Sequence, residues 1–203
     1  QAVGAPLWRQ AVPDPEELET EAHLVPDPLA EAPQSAVPQL IHRYPDRAVF
    51  MVSNECAMYC RFCMRKRRLG RGGGVTDQSL SRGLAYIRKT TAIREVILSG
   101  GDPLLLPDER LAEICSQLKA IGHVELIRVH SRVPCTLPAR ITTDLVSLLA
   151  KFHPLYLNIH FNHPAELTPD ARFACARLAD AGIPLGSQSV LLKGINDDAR
   201  VLM

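Results

Sequence analysis

From Arg47 onward, short apolar runs alternate with longer stretches of helical period. Residues 48–53, Ala-Val-Phe-Met-Val-Ser, form a β-prone run that predicts a first strand. Residues 76–90 predict a helix, with Thr76 or Asp77 as N-cap and Leu80, Leu84 and Ile87 on one face. Residues 95–99, Glu-Val-Ile-Leu-Ser, read as a second buried strand ending in Gly100-Gly101-Asp102-Pro103. A second helix is predicted over 108–121, with Leu111, Ile114, Cys115 and Leu118 at helical spacing and Gly122 just past its end. A third strand (125–129), a helix capped by Thr142 or Thr143 and running to about Phe152, and a fourth strand (155–159) follow. A helix over 168–181, closed by Gly182, leads to a fifth strand over 184–190. Residues 194–203 read as a loop and the first turn of another helix.

Strands separated by single helices imply parallel pairing with right-handed crossovers. Either a doubly wound sheet or a βα-barrel satisfies that pattern. The positions of the polar residues separate the two. A cysteine loop follows strand one, Ser99-Gly-Gly-Asp follows strand two and His130-Ser131-Arg132 follows strand three; His160 ends strand four and Gln188 lies near the end of strand five. Chemistry at the C-terminal end of every strand is how a barrel assembles one site, whereas an open sheet concentrates it at a switch point. The predicted class is therefore α/β, a partial (β/α) barrel of about five βα units. Five strands do not close a parallel barrel, so further chain is expected beyond Met203.

The first 45 residues are different. They hold eight of the sixteen prolines, and 14–31 carries seven acidic groups with only His23 as a counter-charge. Such a segment builds no core of its own. It is expected to be an extended, Pro-rich N-terminal arm (1–45) wrapping over the remainder (46–203), anchored by Leu7, Trp8, Leu24 and Leu29; composition alone allows a disordered leader equally well.

Hydrophobic content of 46% and charged content of 22% are those of an ordinary soluble domain, and a net charge of +1 exerts no global pull on nucleic acid or membrane. No apolar run approaches a membrane span and no basic-then-apolar leader is present, so a cytoplasmic location with reduced thiols is expected. Half of the six cysteines fall in Cys56-Ala-Met-Tyr-Cys60-Arg-Phe-Cys63. Thiolates gathered in one loop favour a soft metal centre. Three of them hold three irons of a four-iron cluster and leave the fourth open to a small molecule, unlike electron-transfer clusters with four protein ligands. Zinc with His42 as a fourth ligand is the competing reading, although paired C-x2-C knuckles are commoner; disulfides need an even set and an oxidising compartment. His160 and His163 form a second, weaker zinc pattern. Around the cysteines, Arg61, Arg65, Lys66, Arg67, Arg68 and Arg71 make a basic run. Without interleaved aromatics or a basic helix it reads as a solvated loop rather than a nucleic-acid patch.

With these residues in place, the chain resembles the lysine 2,3-aminomutase family of radical S-adenosylmethionine (radical SAM) enzymes. The matching stretches are His42-Arg-Tyr-Pro-Asp-Arg47, the cysteine loop through Arg68, Leu98-Ser-Gly-Gly-Asp-Pro-Leu104, His130-Ser-Arg-Val-Pro134, His160-Phe-Asn-His-Pro164 and Gln188-Ser-Val-Leu-Leu192. The resemblance implies that Cys56, Cys60 and Cys63 hold a [4Fe–4S] cluster whose open iron chelates S-adenosylmethionine. Reduction would then release a 5′-deoxyadenosyl radical. It places Ser99, Gly100, Gly101, Asp102, His160 and Gln188 against S-adenosylmethionine, the two glycines letting backbone approach the methionine moiety. It also implies pyridoxal 5′-phosphate, bonded as an aldimine to the substrate, with Arg43, Tyr44 and Arg47 on its phosphate and Arg65 on the substrate carboxylate. The implied partners are a free amino acid, an electron donor of flavodoxin or ferredoxin type and further copies of the chain, with no nucleic acid and no membrane. The alternatives are an aminomutase that supplies β-lysine to a translation factor and a non-catalytic cluster-binding relative. Four departures stand out. None of Lys66, Lys89, Lys119, Lys151 and Lys193 lies in the family's pyridoxal-lysine motif, which comes beyond Met203, as do the aspartates that grip the lysine side chain. Asp198 replaces a zinc-ligating cysteine, and Phe62 replaces a histidine.

Overall fold

The computed structural model describes residues 5–19, 24–70 and 74–202; His23, Arg71 and Met203 lie outside them. Seven strands form one sheet in chain order: β1 (Ser35–Val37), β2 (Leu40–Tyr44), β3 (Arg47–Ser53), β4 (Glu95–Gly100), β5 (Leu126–Ser131), β6 (Leu155–His160) and β7 (Leu185–Gln188). β1–β3 are antiparallel, and β3 to β7 are parallel throughout. β1 and β7 each pair on one side only, so the sheet is an open, partial barrel wall. The helices are α1 (Ala5–Ala11), α2 (Asp77–Lys89), α3 (Asp108–Lys119), α4 (Val133–Thr136), α5 (Thr143–Ala150), α6 (Pro169–Asp180) and α7 (Ala199–Leu202).

The crossover helices start where side chains satisfy their first N–H groups. Thr76 and Ser79 form a reciprocal capping box on α2, Thr142 accepts the Leu145 N–H at 3.1 Å and Thr168 the Ala171 N–H at 3.2 Å. Leu80, Leu84 and Ile87 of α2 and Leu111, Ile114 and Leu118 of α3 are buried on the faces their spacing predicts. They pack on one face of the sheet, made of Phe50, Val96, Leu98, Ile127, Val129 and Leu157. Gly83 permits the closest of these contacts, since a Cβ there would lie 2.4 Å from the Phe50 ring. Polar pairs lie on the other face: Arg128 pairs with Glu95 at 2.9 Å, and Asn158 bonds His130 at 3.0 Å. Period two thus gives the parallel strands an apolar side under helices and a mixed side on the concave wall, whose polar groups are Glu95, Ser99, Arg128, His130 and Asn158.

The concave wall makes one prediction. Burial, with Arg128, Arg65 and His160 nearby, depresses His130 to about 4. Its unfolded value is about 6.5, so between those limits the unfolded chain binds more protons and stability falls as pH falls. Urea denaturation should show about 2–3 kcal/mol more loss between pH 7 and pH 4.5 in the parent than in His130→Gln. Equal losses would remove His130 from the acid response.

Residues 1–45 are not extended throughout. The described residues of this segment include α1, a 3-10 turn at Pro15–Leu18 and, within the sheet, β1 and β2, where Leu40 and Ile41 are buried. The expected anchors also differ. Leu7, Trp8 and Leu24 are exposed, whereas Gln10 and Glu31 are buried. Ahead of β1 the segment is held mainly by polar groups, because its apolar residues there are too few and too scattered to form a face, whereas Leu40 of β2 joins the core.

Candidate active site

The C-terminal ends of the parallel strands make one rim. Ser53 lies opposite Gly100, Ser131 opposite Ile159, and His160 opposite Gln188. The cysteine loop, Ser99 to Asp102, Arg132, His160 and Gln188 therefore follow one another along it, as their strand-end positions predict.

The loop is fastened to β4 before its first cysteine. The Gly101 N–H donates to the Ser53 carbonyl and the Asp102 N–H to the Glu55 carbonyl, both at 2.7 Å. This approach needs glycine: a Cβ on Gly100 would sit 2.3 Å from the Ser53 carbonyl oxygen, and one on Gly101 2.3 Å from that of Glu55. Gly100 also has φ +114°, outside the range that side-chain-bearing residues favour. The glycines were expected to admit a ligand; here the groups they admit are the chain's own. Asp102 is likewise engaged internally. Its carboxylate accepts from the Ser131 hydroxyl at 2.7 Å and from the N–H groups of Leu104, Arg132 and Val133. Burial lifts its carboxyl above the ordinary aspartate range, and those four donors pull the other way.

Cys56, Cys60 and Cys63 are all half-buried and free. Burial pushes the Cys56 thiol up to about 12, with the Asp102 carboxylate and the other two sulfurs adding to the rise. Burial also raises Cys60, opposed by Arg132, whose guanidinium lies 2.7 Å from the Cys60 sulfur and 5.2 Å from the Phe62 ring centre. Soft donors that are partly desolvated, mutually repelling and backed by a cation fit a cationic iron cluster, whose binding would release their protons. His160 packs on Phe62 with ring centres 5.7 Å apart, and its buried Nε2 has no hydrogen-bond partner among the described residues. Together with Ser99 and the exposed Gln188, that orphaned nitrogen fits a polar ligand beside the cluster loop.

The zinc alternatives lose their histidines. His42 Nδ1 lies 2.9 Å from the Tyr86 hydroxyl of α2, toward the start of β3 and away from the cysteine loop. His163 accepts the Ala165 N–H and so caps the following turn. Among the described residues, no three Cys, His, Asp or Glu side chains gather around a single ion-sized point.

Arg43, Tyr44 and Arg47 do not join the rim. They cluster with each other, the two guanidiniums lying 5.8 and 5.6 Å from the exposed Tyr44 ring. Arg47 opens β3 and the cysteines follow its far end, six residues on, which at about 3.3 Å per residue is roughly 20 Å away. Within one copy of the chain these residues do not fit a phosphate site beside the cluster loop.

Three arginines of the basic run are paired rather than solvated. Arg61 bonds Glu17 at 2.5 Å, Arg65 bonds Glu31 through two nitrogens, and Arg67 meets Asp27 at 2.6 Å. The acidic leading segment and the basic loop are each other's counter-charges. Arg65, expected to hold a substrate carboxylate, holds that of Glu31, and its Nη1 also reaches Ser99 at 3.4 Å. A cavity of about 500 Å³ adjoins it, lined by Arg65, Arg67, Arg68, Ser53, Asn54 and Gly100. Its size and cationic lining suit a small organic anion.

Sequence reading placed Arg132 at a strand end but missed its partners. Arg132 donates to Gln10 of α1 at 2.7 Å and to Glu166 at 2.5 Å, and Glu166 accepts the N–H groups of Asn162 and His163. Asn162 and Asn196 carry these bonds on to the segment after β7. The one legible signal was a capping box, Glu166 standing three residues after His163 and two after Pro164.

A family model described as the radical SAM superfamily matches residues 50–203. The chain is 50% identical over 198 residues to the L-lysine 2,3-aminomutase of Acetoanaerobium sticklandii, an alignment covering 97% of this chain and 48% of that protein. It is 49% identical over 199 residues to the L-lysine 2,3-aminomutase of Fusobacterium nucleatum, covering 97% and 47%. With the glutamate 2,3-aminomutase of Clostridioides difficile it shares 43% identity over 198 residues, again covering 97% and 47%. The chain thus spans about half the length of the curated relatives it matches.

Proposed function

Because this chain belongs to the radical SAM superfamily, we propose that it forms the cluster-bearing half of an amino-acid 2,3-aminomutase. The observation that carries the reading is the set of three half-buried cysteines at the strand-end rim, backed by a guanidinium. When bound, the cluster would supply an electron, S-adenosylmethionine the hydrogen-abstracting radical, and pyridoxal phosphate the electron sink for a nitrogen shift from α- to β-carbon. Cys56, Cys60 and Cys63 would hold three irons. Ser99, His160 and Gln188 would contact S-adenosylmethionine, while Gly100, Gly101 and Asp102 hold the loop that presents it. Arg65 would exchange the Glu31 carboxylate for that of the substrate, and the protein groups would chiefly position reactants and exclude water. No step is assigned to Arg43, Tyr44 or Arg47, which stand at the other end of β3.

Lysine and glutamate are both named among the relatives' substrates, and the cationic cavity recognises only the carboxylate they share. The whole protein is further proposed to be cytoplasmic, to self-associate and to take electrons from a flavodoxin- or ferredoxin-type donor. Among the described residues no helix is long and apolar enough to cross a membrane.

Anaerobic reconstitution with iron and sulfide tests the reading. A brown protein that forms 5′-deoxyadenosine from S-adenosylmethionine on reduction is expected, with Cys60→Ala abolishing both colour and product. A colourless protein retaining zinc would instead indicate a non-catalytic relative.

A further inference from the structure

The proposed chemistry gives no task to the buried ion pair beside Cys60. Arg132 and Glu166 meet at 2.5 Å with only 8% and 3% of their side chains exposed. Burying two charges costs several kcal/mol each before their attraction is counted, so such a pair is poor evidence of a device for stability. Its geometry is also directional. One guanidinium nitrogen of Arg132, Nη1, is given to the Cys60 sulfur, and the other, Nη2, to Glu166 and Gln10. Among the described residues, Cys60 is the one cysteine of the loop whose sulfur receives a side-chain hydrogen bond. Glu166 is itself immobilised by the N–H groups of Asn162 and His163, at 2.6 and 3.0 Å.

We propose that Arg132 is a positioning residue for Cys60, donating to its thiolate so that the Arg132–Glu166 pair sets the reduction potential of the cluster. This rests on the reading that Cys60 ligates iron. Reduction adds negative charge to the cluster and its sulfurs, and hydrogen bonds and nearby charge at those sulfurs are among the terms that set the potential. The Arg132 cation stabilises the reduced form. Glu166, beyond it, withdraws part of that stabilisation in a medium where charges are poorly screened. The two residues therefore act on the cluster with opposite sign, although they belong to one ion pair.

Opposite signs give a test that structural damage does not imitate. Anaerobically reconstituted protein is titrated with dithionite-poised mediators, and the paramagnetic signal of the reduced cluster is followed at matched iron content. Arg132→Gln is expected to lower the equilibrium constant for reduction about tenfold, a shift of about 59 mV to more negative potential for a one-electron couple. Glu166→Gln is expected to shift it about tenfold the other way, and Arg132→Lys to recover most of the parent value. Unmoved potentials, or shifts of the same sign in Arg132→Gln and Glu166→Gln, overturn the proposal. Should Arg132→Gln fail to load iron, Glu166→Gln decides, and an unchanged potential there overturns it alone. Parent protein that loads no iron would overturn the cluster reading as well, whereas a loaded parent with unshifted variants would leave that reading standing.

Discussion

Gly101→Ala is expected to cost about 2–3 kcal/mol of stability and to abolish iron loading. The added methyl would lie 2.3 Å from the Glu55 carbonyl oxygen and 2.6 Å from the Glu55 nitrogen. Both are backbone atoms, so no side-chain rotation relieves the contact, and overpacking of this kind typically costs 1–3 kcal/mol. Relief requires Glu55 to move, which would carry the adjacent Cys56 with it and break the 2.7 Å bond from the Asp102 N–H. Gly100→Ala adds a second cost, because its φ of +114° is a conformation L-residues rarely adopt. Gly122→Ala is the control, as nothing lies within 4 Å of a Cβ built there. Denaturation midpoints and iron per chain should separate Gly101→Ala from Gly122→Ala clearly. Parent-like iron content in Gly101→Ala would show that the loop tolerates displacement.

The second large effect is expected at Asp102, where replacement by alanine removes the acceptor of four hydrogen bonds. The Ser131 hydroxyl is free to rotate and the Val133 N–H keeps the Ser131 oxygen at 3.0 Å, but the N–H groups of Leu104 and Arg132 cannot rotate and lose this acceptor. Each buried donor left unsatisfied costs about 1–3 kcal/mol, so a loss of roughly 3–5 kcal/mol is expected once water has relieved part of it. Asp102→Asn keeps the shape but turns one acceptor into a donor facing donors, and should fall between alanine and the parent. Urea denaturation of the three proteins gives that order. Equal stability of Asp102→Ala and the parent would mean that the ends of β4 and β5 are held together by other contacts.

Where structure followed from local pattern, the sequence was enough. The strand beginning at Glu95 and the helix after Thr76 are written in residues that neighbour one another, as periodicity and caps always are. The order of functional groups along the rim was legible for the same reason, since the end of a strand is a local property. The glycines after Ser99 were legible as a site of close approach, though not as to what approaches. The acidic segment and the basic loop were each visible in composition, one read as an arm with apolar anchors and the other as solvated, because nothing local states that Arg65 meets Glu31 or that Arg61 meets Glu17. Tyr44 and its arginines show the converse. A motif close to the cysteines in sequence stands at the opposite end of a strand, because an extended chain carries residues apart faster than any other conformation.

The amino-acid sequence by itself determined the alternation of strands and helices, the parallel order, the trio of cysteines and the superfamily they mark. These depend on short-range periodicity, capping and spacing, which the chain carries wherever it is placed. Only the tertiary structure decided that the leading segment neutralises the cysteine loop, that Gly100 and Gly101 admit backbone, and that Arg132 lies between Cys60 and Glu166. Those contacts join residues up to 72 positions apart. Their partners are selected by burial, which makes an unpaired charge costly and so forces distant groups to meet.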